Sequence, residues 1–369
     1  MISFLDLKLG DDAPAVDAAI RRVIARGWFI LGPELDAFER EFADASGAAH
    51  AAGVGTGTDA IALALRGLGI GAGDEVITTP LSAAYTALAI IMAAARPVFA
   101  EIDDERLTID PRAVEARITS RTRAIVPVHL YGQAADMPAL VAVARRHHLA
   151  IVEDCCQAHL ATCAGQPVGT FGAAGAFSFY PTKNLGALGD GGAIVTNDAQ
   201  LAGRVRRLRN GGQTDRYRHV ELGVNSRLDE MQAAILRARL PLLAHWTARR
   251  RELARAYRRA LAGAPVRVPP EFDAGHVYHL FPVRSTARAA LQAHLSESGI
   301  ETLVHYPIPI PRQEAFKSDA VEPCAVASRV CDEVLSLPLH PRLDPDAVER
   351  VADALCRFGA IRAATSPTS

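Results

Sequence analysis

The sequence predicts an α/β protein with a large domain, built on a mostly parallel central sheet covered by helices on both faces, and a small α+β C-terminal domain. Short apolar strands alternate with helical segments, as in parallel sheets that are buried on both sides. The 369 residues exceed what one hydrophobic core usually serves. The stretch "GAPVRVPPEFDAGH" is rich in Pro and Gly, which is typical of a connection between lobes. We expect the domains to comprise residues 1–240 and 241–369.

From residue 74 onward the large domain reads as a succession of strands and helices. Predicted strands are short, apolar and β-branched, whereas predicted helices repeat their apolar residues every three or four positions. In chain order they are strand "DEVITT", a helix over 82–94, strand "RPVFAEI", helix "PRAVEARI", strand "RAIVPVHL", helix "MPALVAVARRHH", and strands "LAIVEDC", "GAFSFY" and "GGAIVTND". In such sheets ligands bind beyond the carboxyl ends of the strands, so we expect functional residues there.

The C-terminal part follows a long helix predicted over 228–261. Pro241 should kink this helix, because proline lacks the backbone N–H of the helical hydrogen bond. After the connecting stretch, the predicted elements are strand "VYHLFPVR", helix "ARAALQAHLSESG" and helices near 322–333 and 345–358.

Composition excludes several classes of partner. The chain is 49% hydrophobic and 22% charged, as in ordinary globular proteins, and its formal net charge is −1. We therefore expect no nucleic acid and no membrane as partner. The opening "MISFLDLKLGDDAP" has no basic segment followed by an apolar run, so we expect a cytoplasmic protein. The six cysteines form no CxxC pair, which predicts free, mostly buried thiols and no metal site.

Three strand ends or turns carry polar residues that could act together. In "GVGTGTDAIALAL", small residues precede a helix that is predicted to begin near Thr58. Free N–H groups at the start of a helix favour the binding of a phosphate. Asp154 ends the apolar strand "LAIVEDC", where a carboxylate could keep a ring nitrogen protonated. Lys183 follows the strand that ends near Ser178. Taken singly, these features are also typical of a turn with its helix cap, a capping acid and a surface lysine.

Phosphate cradle, strand-end aspartate and later lysine are together what pyridoxal phosphate (PLP) requires. The lysine amine condenses with the aldehyde of this cofactor, and the aspartate keeps the pyridine nitrogen protonated so that the ring accepts electrons. The combination therefore favours a PLP enzyme over the separate explanations.

Sequence blocks along nearly the whole chain carry a resemblance to a known family. The chain resembles the DegT-type sugar aminotransferases, PLP-dependent enzymes of fold type I that act on nucleotide-linked keto-sugars. The blocks are "FLDLK", "GWFILGPELDAFEREFA", "GTGTDAIALAL", "PVHLYGQAADM", "VEDCCQAH", "FSFYPTKNLGALGDGGAIVTND", "LRNGG", "GVNSRLDEMQAA", "VYHLFPVR" and "HYPIPI".

The resemblance implies a role for each matching residue. Lys183 looks like the Schiff-base lysine and proton shuttle, Asp154 like the partner of the pyridine nitrogen, and Gln157 like the donor to the ring hydroxyl. The phosphate-binding positions match Gly57, Thr58 and Ser178. Asn225 matches an asparagine that reaches the phosphate from the neighbouring subunit, which implies a homodimer as the minimum active unit. Candidate substrate contacts are His159, Arg227, His305 and Tyr306; ordinary packing or a surface salt bridge would explain Arg227, His305 and Tyr306 as well.

The resemblance also favours one reaction. Relatives with histidine at position 183 are dehydratases, whereas a lysine there favours transamination, and a non-catalytic regulator would be expected to lose Lys183 or Asp154. The blocks "MISFLDLK", "VYHLF" and "HYPIP" are similar to those of enzymes that aminate C3 of dTDP-linked 3-keto-6-deoxyhexoses, with L-glutamate as donor. Amination at C4, or a UDP-linked sugar, is the alternative.

This sequence departs from the family pattern at three places. Where many relatives stack an aromatic residue on the PLP ring, it has Ala83 or Ala84, with Tyr85 as the aromatic residue nearby. Cys155 and Cys156 are bulkier than the usual residues beside the aspartate, and we expect them to serve packing. Pro311 replaces a histidine that often follows "HYPIP".

Overall fold

The computed structural model describes residues 1–316 and 324–365, with the backbone alone over 361–365. Its helices are α1 (Ala13–Arg26), α2 (Pro33–Ala45), α3 (Gly57–Gly67), α4 (Tyr85–Met92), α5 (Pro111–Ala116), α6 (Met137–Arg146), α7 (Ala199–Leu208), α8 (Glu230–Arg239), α9 (Leu243–Ala260), α10 (Arg288–Glu297), α11 (Ala325–Glu333) and α12 (Pro345–Thr365). Its strands are β1 (His50–Val54), β2 (Glu75–Thr78), β3 (Arg96–Phe99), β4 (Thr122–Val126), β5 (Ala150–Asp154), β6 (Thr162–Cys163), β7 (Gln166–Pro167), β8 (Ala174–Ser178), β9 (Gly192–Thr196), β10 (Gln213–Asp215), β11 (Arg218–His219), β12 (Phe281–Arg284) and β13 (Val334–Leu337).

A seven-stranded sheet organises the large domain, in the order β1-β9-β8-β5-β4-β2-β3. The strands from β8 to β3 pair in parallel, and β9 alone runs against the other six. Successive strand residues face opposite sides, so Val76 and Val152 join one apolar core while Ile77 and Ile151 join the other. The prediction of a mostly parallel sheet covered on both faces is confirmed.

The C-terminal part has its own core around the antiparallel pair β12 and β13, packed by α9, α10 and α12. Ile2 also belongs to this core and pairs with Ile300. The first residues of the chain thus pack with the small domain, although the sequence-based division groups them with the large one. The boundary after residue 240 stays a prediction.

Three predicted elements differ in extent from the observed ones. The helix predicted over 82–94 begins at Tyr85, since the hydroxyl of Thr79 accepts from the Leu81 N–H in a turn after β2. The helix over 228–261 is divided into α8 and α9 by a short 3₁₀ turn that contains Pro241, as the proline predicted. Strand "VYHLFPVR" is regular only over β12, because the residues before it bond to the loop after β4.

Two further predictions concern the ends of this part. The helix expected near 322–333 is α11, and residues 322 and 323 lie outside the described residues. The helix expected over 345–358 extends to Thr365 as α12. Among the described helices, none combines the length and the apolar run that crossing a bilayer requires.

Candidate active site

Several strand ends meet at one edge of the sheet. β5 ends at Asp154 and its parallel neighbour β8 ends at Ser178. On the other side of β8, Gly192 pairs with both Ser178 and Val54, the last residue of β1. The start of α3, which follows β1, therefore lies beside Ser178: a Cβ placed on Gly57 would be 2.7 Å from the Ser178 Cβ. The topology thus brings the predicted phosphate cradle, aspartate and lysine connection together.

Lys183 lies in the connection between β8 and β9, where its N–H donates to the Tyr180 carbonyl at 2.8 Å. Burial lowers the pKa of its amine, and the neighbouring Cys156 and Asp154 side chains oppose this effect. Within residues 1–316 and 324–365, Lys183 forms no ion pair. A buried amine with a lowered pKa is available as a nucleophile at a lower pH than a surface lysine.

Asp154 is held by two donors at the end of β5 and is 5% exposed. Its Oδ2 accepts from the Thr86 hydroxyl at 2.7 Å, and its Oδ1 accepts from the Cys156 N–H at 3.1 Å. Sequence reasoning missed Thr86, because the residue falls inside a predicted apolar helix. The signal that could have identified Thr86 was its hydroxyl in the first turn of α4, the helix that follows the end of strand β2.

The phosphate cradle is built from the first turn of α3. The helix begins at Gly57, preceded by the cap residue Thr56, whose hydroxyl accepts from the Asp59 N–H at 3.0 Å. Gly57 and Thr58 are the first two helical residues, and such N–H groups have no intrahelical acceptor. They can therefore donate to an anion, and the helix dipole adds to the attraction.

Gln157 is buried near the same edge and its amide has a fixed orientation. Its Oε1 accepts from the Tyr131 N–H at 2.8 Å, so the amide nitrogen is the group that remains to donate. That nitrogen lies 3.0 Å from the Tyr306 hydroxyl oxygen. Burial raises the pKa of Tyr306, and Asp154 adds to this rise. Tyr306 is therefore neutral over the physiological pH range.

His305 and Tyr85 complete the surroundings of Tyr306. The His305 ring stacks on Phe4 with centroids 5.7 Å apart, and its Nδ1 lies 3.0 Å from the Ser336 hydroxyl. Burial, followed by the charge of Lys183, lowers the pKa of His305 to about 4, so its imidazole is neutral at pH 7. Tyr85 is the first residue of α4 and is 64% exposed. Its phenol is close enough to contribute to the raised pKa of Tyr306.

His159 occupies a different environment from the other candidates. Its ring is fully buried against Phe177 and Phe179, and its Nε2 lies 2.9 Å from the Ser178 carbonyl. Burial lowers the pKa of His159 to about 3, so the ring is neutral. In this structure it supports the strand that carries Ser178 and is enclosed by protein. Its contact with substrate stays a prediction.

Asn225 and Arg227 lie on a loop that reaches the start of α3. Between them, the Ser226 hydroxyl accepts from the Gly55 N–H at 2.9 Å and donates to Asp59 at 2.8 Å. Asn225 is exposed, and Arg227 donates to the Asn210 side chain at 3.0 Å. The loop is thus anchored at the cradle, while the roles of Asn225 and Arg227 stay predictions. Ser226 was not identified from the sequence.

The cysteines serve packing more than chemistry. All six are free, and Cys155 and three others are buried, as predicted. Cys155, His129 and Glu153 lie close enough together to hold a metal ion. However, Glu153 accepts three backbone N–H groups, from Gly169, Phe171 and Gly172, and the His129 Nδ1 accepts from the Ala135 N–H. The Glu153 and His129 atoms that could ligate a metal are therefore already occupied as hydrogen-bond acceptors, and they hold the end of β5.

The residues at this edge fit PLP. The buried Lys183 amine forms no ion pair among the described residues, and the first two N–H groups of α3 have no intrahelical acceptor and can donate to a phosphate. The Asp154 carboxylate, at a strand end, can accept from a protonated ring nitrogen as well as from Thr86. Tyr85 is an aromatic side chain left exposed beside them. Fold and site together define a PLP-dependent aminotransferase of fold type I.

Comparison with known proteins gives the family. The model of the DegT/DnrJ/EryC1/StrS aminotransferase family matches residues 11–356, and the chain belongs to this family. It is 48% identical over 363 residues to the dTDP-3-amino-3,4,6-trideoxy-alpha-D-glucose transaminase of Streptomyces venezuelae, covering 96% of this chain and 95% of the relative. It is 46% identical over 340 residues to the UDP-N-acetyl-3-dehydro-alpha-D-glucosamine 3-aminotransferase of Acidithiobacillus ferrooxidans, covering 92% of each.

Solved structures agree with this assignment. The crystal structure of S. venezuelae DesV in complex with a ketimine intermediate superposes with a TM-score of 0.93 at 48% identity, covering 97% of this chain and 98% of that one. The structure of NtdA from Bacillus subtilis with bound cofactor PMP gives a TM-score of 0.91 at 31% identity, covering 98% and 85%. The predictions of fold, family, aminotransferase class and PLP cofactor are confirmed.

Proposed function

We propose that this enzyme transfers an amino group from L-glutamate to C3 of a dTDP-linked 3-keto-6-deoxyhexose, in two half-reactions. The observation that carries the proposal is the Lys183 amine, which is buried beside Asp154 and left without an ion pair among the described residues. The relative at 48% identity is named as a dTDP-3-amino-sugar transaminase, which supports the sugar class and the C3 position.

Each residue has a defined task in this proposal. When bound, PLP supplies an aldehyde that exchanges nitrogen and a ring that accepts the electrons released at the substrate carbon. Lys183 Nζ would take the proton from that carbon as general base and then, as general acid, pass it to the cofactor carbon that began as the aldehyde. Asp154 keeps the ring nitrogen protonated, and Gln157 donates to the ring hydroxyl. Gly57, Thr58 and Ser178 hold the phosphate.

The substrate side is assigned to the remaining candidates. His305, near the lysine, and Tyr306, which bonds to Gln157, are both neutral, so they suit hydroxyl groups of a sugar rather than charged groups. Arg227 is the candidate for an anionic substrate group. Tyr85, exposed at the start of α4, is the candidate to cover the ring face.

The nucleotide and the aminated carbon each have an alternative. A UDP-linked 3-keto-sugar is the second candidate, since the relative at 46% identity is named as an enzyme of that substrate class. Identities of 48% and 46% do not discriminate between the two. Amination at C4 is the further alternative. The lysine at position 183 disfavours a dehydratase, and the presence of both Lys183 and Asp154 disfavours a non-catalytic regulator. A cytoplasmic location stays a prediction.

We infer that the active unit is a homodimer. An apolar stripe of Tyr85, Leu88, Ile91 and Met92 lies exposed on α4, beside the site, and Trp28, Phe29 and Ile30 form a second exposed group. Patches of this kind are typical of protein interfaces. A second copy packed on the α4 stripe would cover the site at the edge of the sheet. Exposed Asn225 would then be free to reach the partner's phosphate site.

The first half-reaction is tested by spectroscopy. Wild-type protein and Lys183→Ala are loaded with PLP, and their visible spectra are recorded before and after L-glutamate is added. We expect the band of the lysine-bound cofactor in wild type only, its loss on addition of glutamate, and release of 2-oxoglutarate. A wild-type protein without the band, or a Lys183→Ala protein that consumes glutamate, would overturn the proposal.

The second half-reaction is tested with matched sugars. The glutamate-treated enzyme is given a dTDP-3-keto-6-deoxyhexose, a dTDP-4-keto-6-deoxyhexose and a UDP-linked 3-keto-hexose, and the aminated carbon is identified by NMR. Product from the first sugar alone supports the proposal. Preference for the second or third identifies the C4 or the UDP alternative instead.

The dimer is tested by mixing subunits. Lys183→Ala and Asn225→Ala are each inactive or weak, but co-refolded in equal amounts they should recover about a quarter of the wild-type sites, since a mixed dimer has one intact site. This holds only if Asn225 acts across the interface. No recovery would place Asn225 in the same subunit as its lysine.

A further inference from the structure

We propose that Asn184 and His279 are positioning residues, which fix the turn that carries Lys183 by tying it to the segment 277–280 of the C-terminal part. The inference rests on the proposed role of Lys183 and extends it to two residues to which the sequence analysis assigned no role. Asn184 directly follows the lysine, whereas His279 lies in the stretch just before β12. Both are buried, each with 6% of its surface exposed.

The side chain of Asn184 is used at both ends. Its Nδ2 donates to the Val277 carbonyl at 3.1 Å, and its Oδ1 lies 3.2 Å from Nδ1 of His279. The carbonyl of Val277 can only accept, which fixes the orientation of the amide. Because the amide oxygen also only accepts, Nδ1 of His279 carries the ring proton.

The segment that receives this tie is itself firmly held. Its Val277 N–H donates to the Gly132 carbonyl at 3.0 Å, and Leu280 N–H donates to the Tyr131 carbonyl at 3.3 Å. Gly132 has a φ of +94°, and a Cβ placed on it would lie 2.9 Å from the backbone nitrogen of His279. The two backbones therefore pack in direct contact. Tyr131 is also the residue whose N–H orients Gln157. The segment therefore connects the lysine turn with the loop that places Gln157.

The tie persists across the working pH range. Burial, followed by the charges of Lys183 and Arg250, lowers the pKa of His279 well below 6.5. The ring is therefore neutral at pH 7, with its single proton on Nδ1 and directed to Asn184.

A tie at this position affects geometry at the reacting atom. The lysine turn is closed on its own strand by the Lys183 N–H to Tyr180 and the Ala187 N–H to Phe179. The Asn184 amide ties this turn to the segment 277–280 of the C-terminal part. Small displacements of a catalytic group cost large factors in rate, so this contact should matter for proton transfer.

The test compares four variants and uses two readouts. Asn184→Leu removes both hydrogen bonds of the tie and His279→Phe removes the one to His279, each with little change in volume, whereas His279→Gln can still donate an N–H to the Asn184 amide. Arg251→Met is the matched control, because Arg251 Nε donates to the His276 carbonyl at 2.8 Å, on the same segment but away from the lysine turn. The first readout is amide exchange over residues 180–188 in cofactor-free protein. The second is the midpoint of the pH titration of the cofactor absorbance in loaded protein.

We expect His279→Phe to speed exchange over 180–188 by about five- to tenfold, the effect of losing one buried hydrogen bond, and Asn184→Leu, which loses two, to speed it by at least as much. Both should move the absorbance midpoint by about half a pH unit or more. His279→Gln should keep both readouts near wild type, as should Arg251→Met.

Exchange and midpoint unchanged in both disrupting variants would overturn the proposal, as would equal changes in Arg251→Met. If Asn184→Leu does not fold, the pair His279→Phe and His279→Gln decides alone. Failure of the proposed function is distinguished by Lys183→Ala: should that protein titrate like wild type, Lys183 is not the cofactor lysine, while the exchange readout still reports on the tie.

Discussion

The hydrogen bond between Thr86 and Asp154 gives the sharpest prediction for the reaction itself. The Thr86 hydroxyl donates to Asp154 Oδ2 at 2.7 Å, and both residues are buried, Thr86 with 2% and Asp154 with 5% of its surface exposed. Thr86→Val replaces the hydroxyl with a methyl group of similar size. The change therefore removes one donor from the carboxylate and leaves the packing of α4 nearly as it is.

The expected magnitude follows from the charge of the acceptor. A hydrogen bond to an ionised group contributes about 1.5–3 kcal/mol, which corresponds to about ten- to a hundredfold in rate when it supports the reacting state. We expect kcat/KM for the glutamate half-reaction to fall by that factor in Thr86→Val. Cofactor-free protein should also lose about 1.5–3 kcal/mol in free energy of unfolding, because the carboxylate is left with one donor fewer.

The assay is single-turnover decay of the cofactor band after mixing with L-glutamate, at saturating PLP. Thr86→Ser is the control, because it keeps the hydroxyl and loses only the methyl group. It should stay within about threefold of wild type if it retains the hydrogen bond. Equal rates for Thr86→Val and wild type would refute the reasoning. A Thr86→Ser protein as slow as Thr86→Val would assign the effect to packing instead.

Three further predictions follow from the same contacts. Gly57→Ala should weaken PLP binding about tenfold or more in a fluorescence titration, since its Cβ would lie 2.7 Å from Ser178, and unchanged affinity would contradict the crowding. Glu153→Gln should cost about 2 kcal/mol or more in urea unfolding, because three N–H donors face an amide instead of a carboxylate; a loss near zero would count against this. The hydrogen bond from Arg22 lowers the pKa of Glu34 from 4.5 to about 2. The contribution of ionised Glu34 to the free energy of unfolding is therefore present above pH 4.5 and is lost as pH falls towards 2. Glu34→Gln should therefore flatten the acid limb of the stability curve, and an identical limb would show that Glu34 contributes nothing there.

Residues at strand ends could be located from the sequence because strand ends are visible in it. The apolar run before Asp154 and the β-prone run before Ser178 both stop where the sheet stops, so parallel pairing alone places Asp154 near the lysine connection. Residues that arrive from other elements gave no such signal. Thr86 looks like part of an apolar helix, and its partner lies far away along the chain.

The C-terminal contribution was hidden for a related reason. The run "VYHLFPVR" has the composition of one strand. Composition does not show that its first half lies outside the regular strand. Val277 and Leu280 instead bond to the loop at Tyr131 and Gly132, a pairing between segments far apart in the chain. Local propensity cannot report such contacts, because their energy comes from tertiary packing.

Hydrogen bonds from the C-terminal part reach two of the residues that we propose for the reaction, Gln157 and the turn of Lys183. Lys183, Asp154 and the start of α3 lie at the edge of the seven-stranded sheet, yet the turn after Lys183 and the amide of Gln157 are oriented through Tyr131 and the segment 277–280. Tyr306, which receives the Gln157 amide, also comes from the C-terminal part. A displacement of the small domain would therefore change the lysine turn and Gln157 together. We therefore expect substitutions in the segment 277–280 to affect the reaction, although none of the proposed cofactor-binding residues lies in that segment.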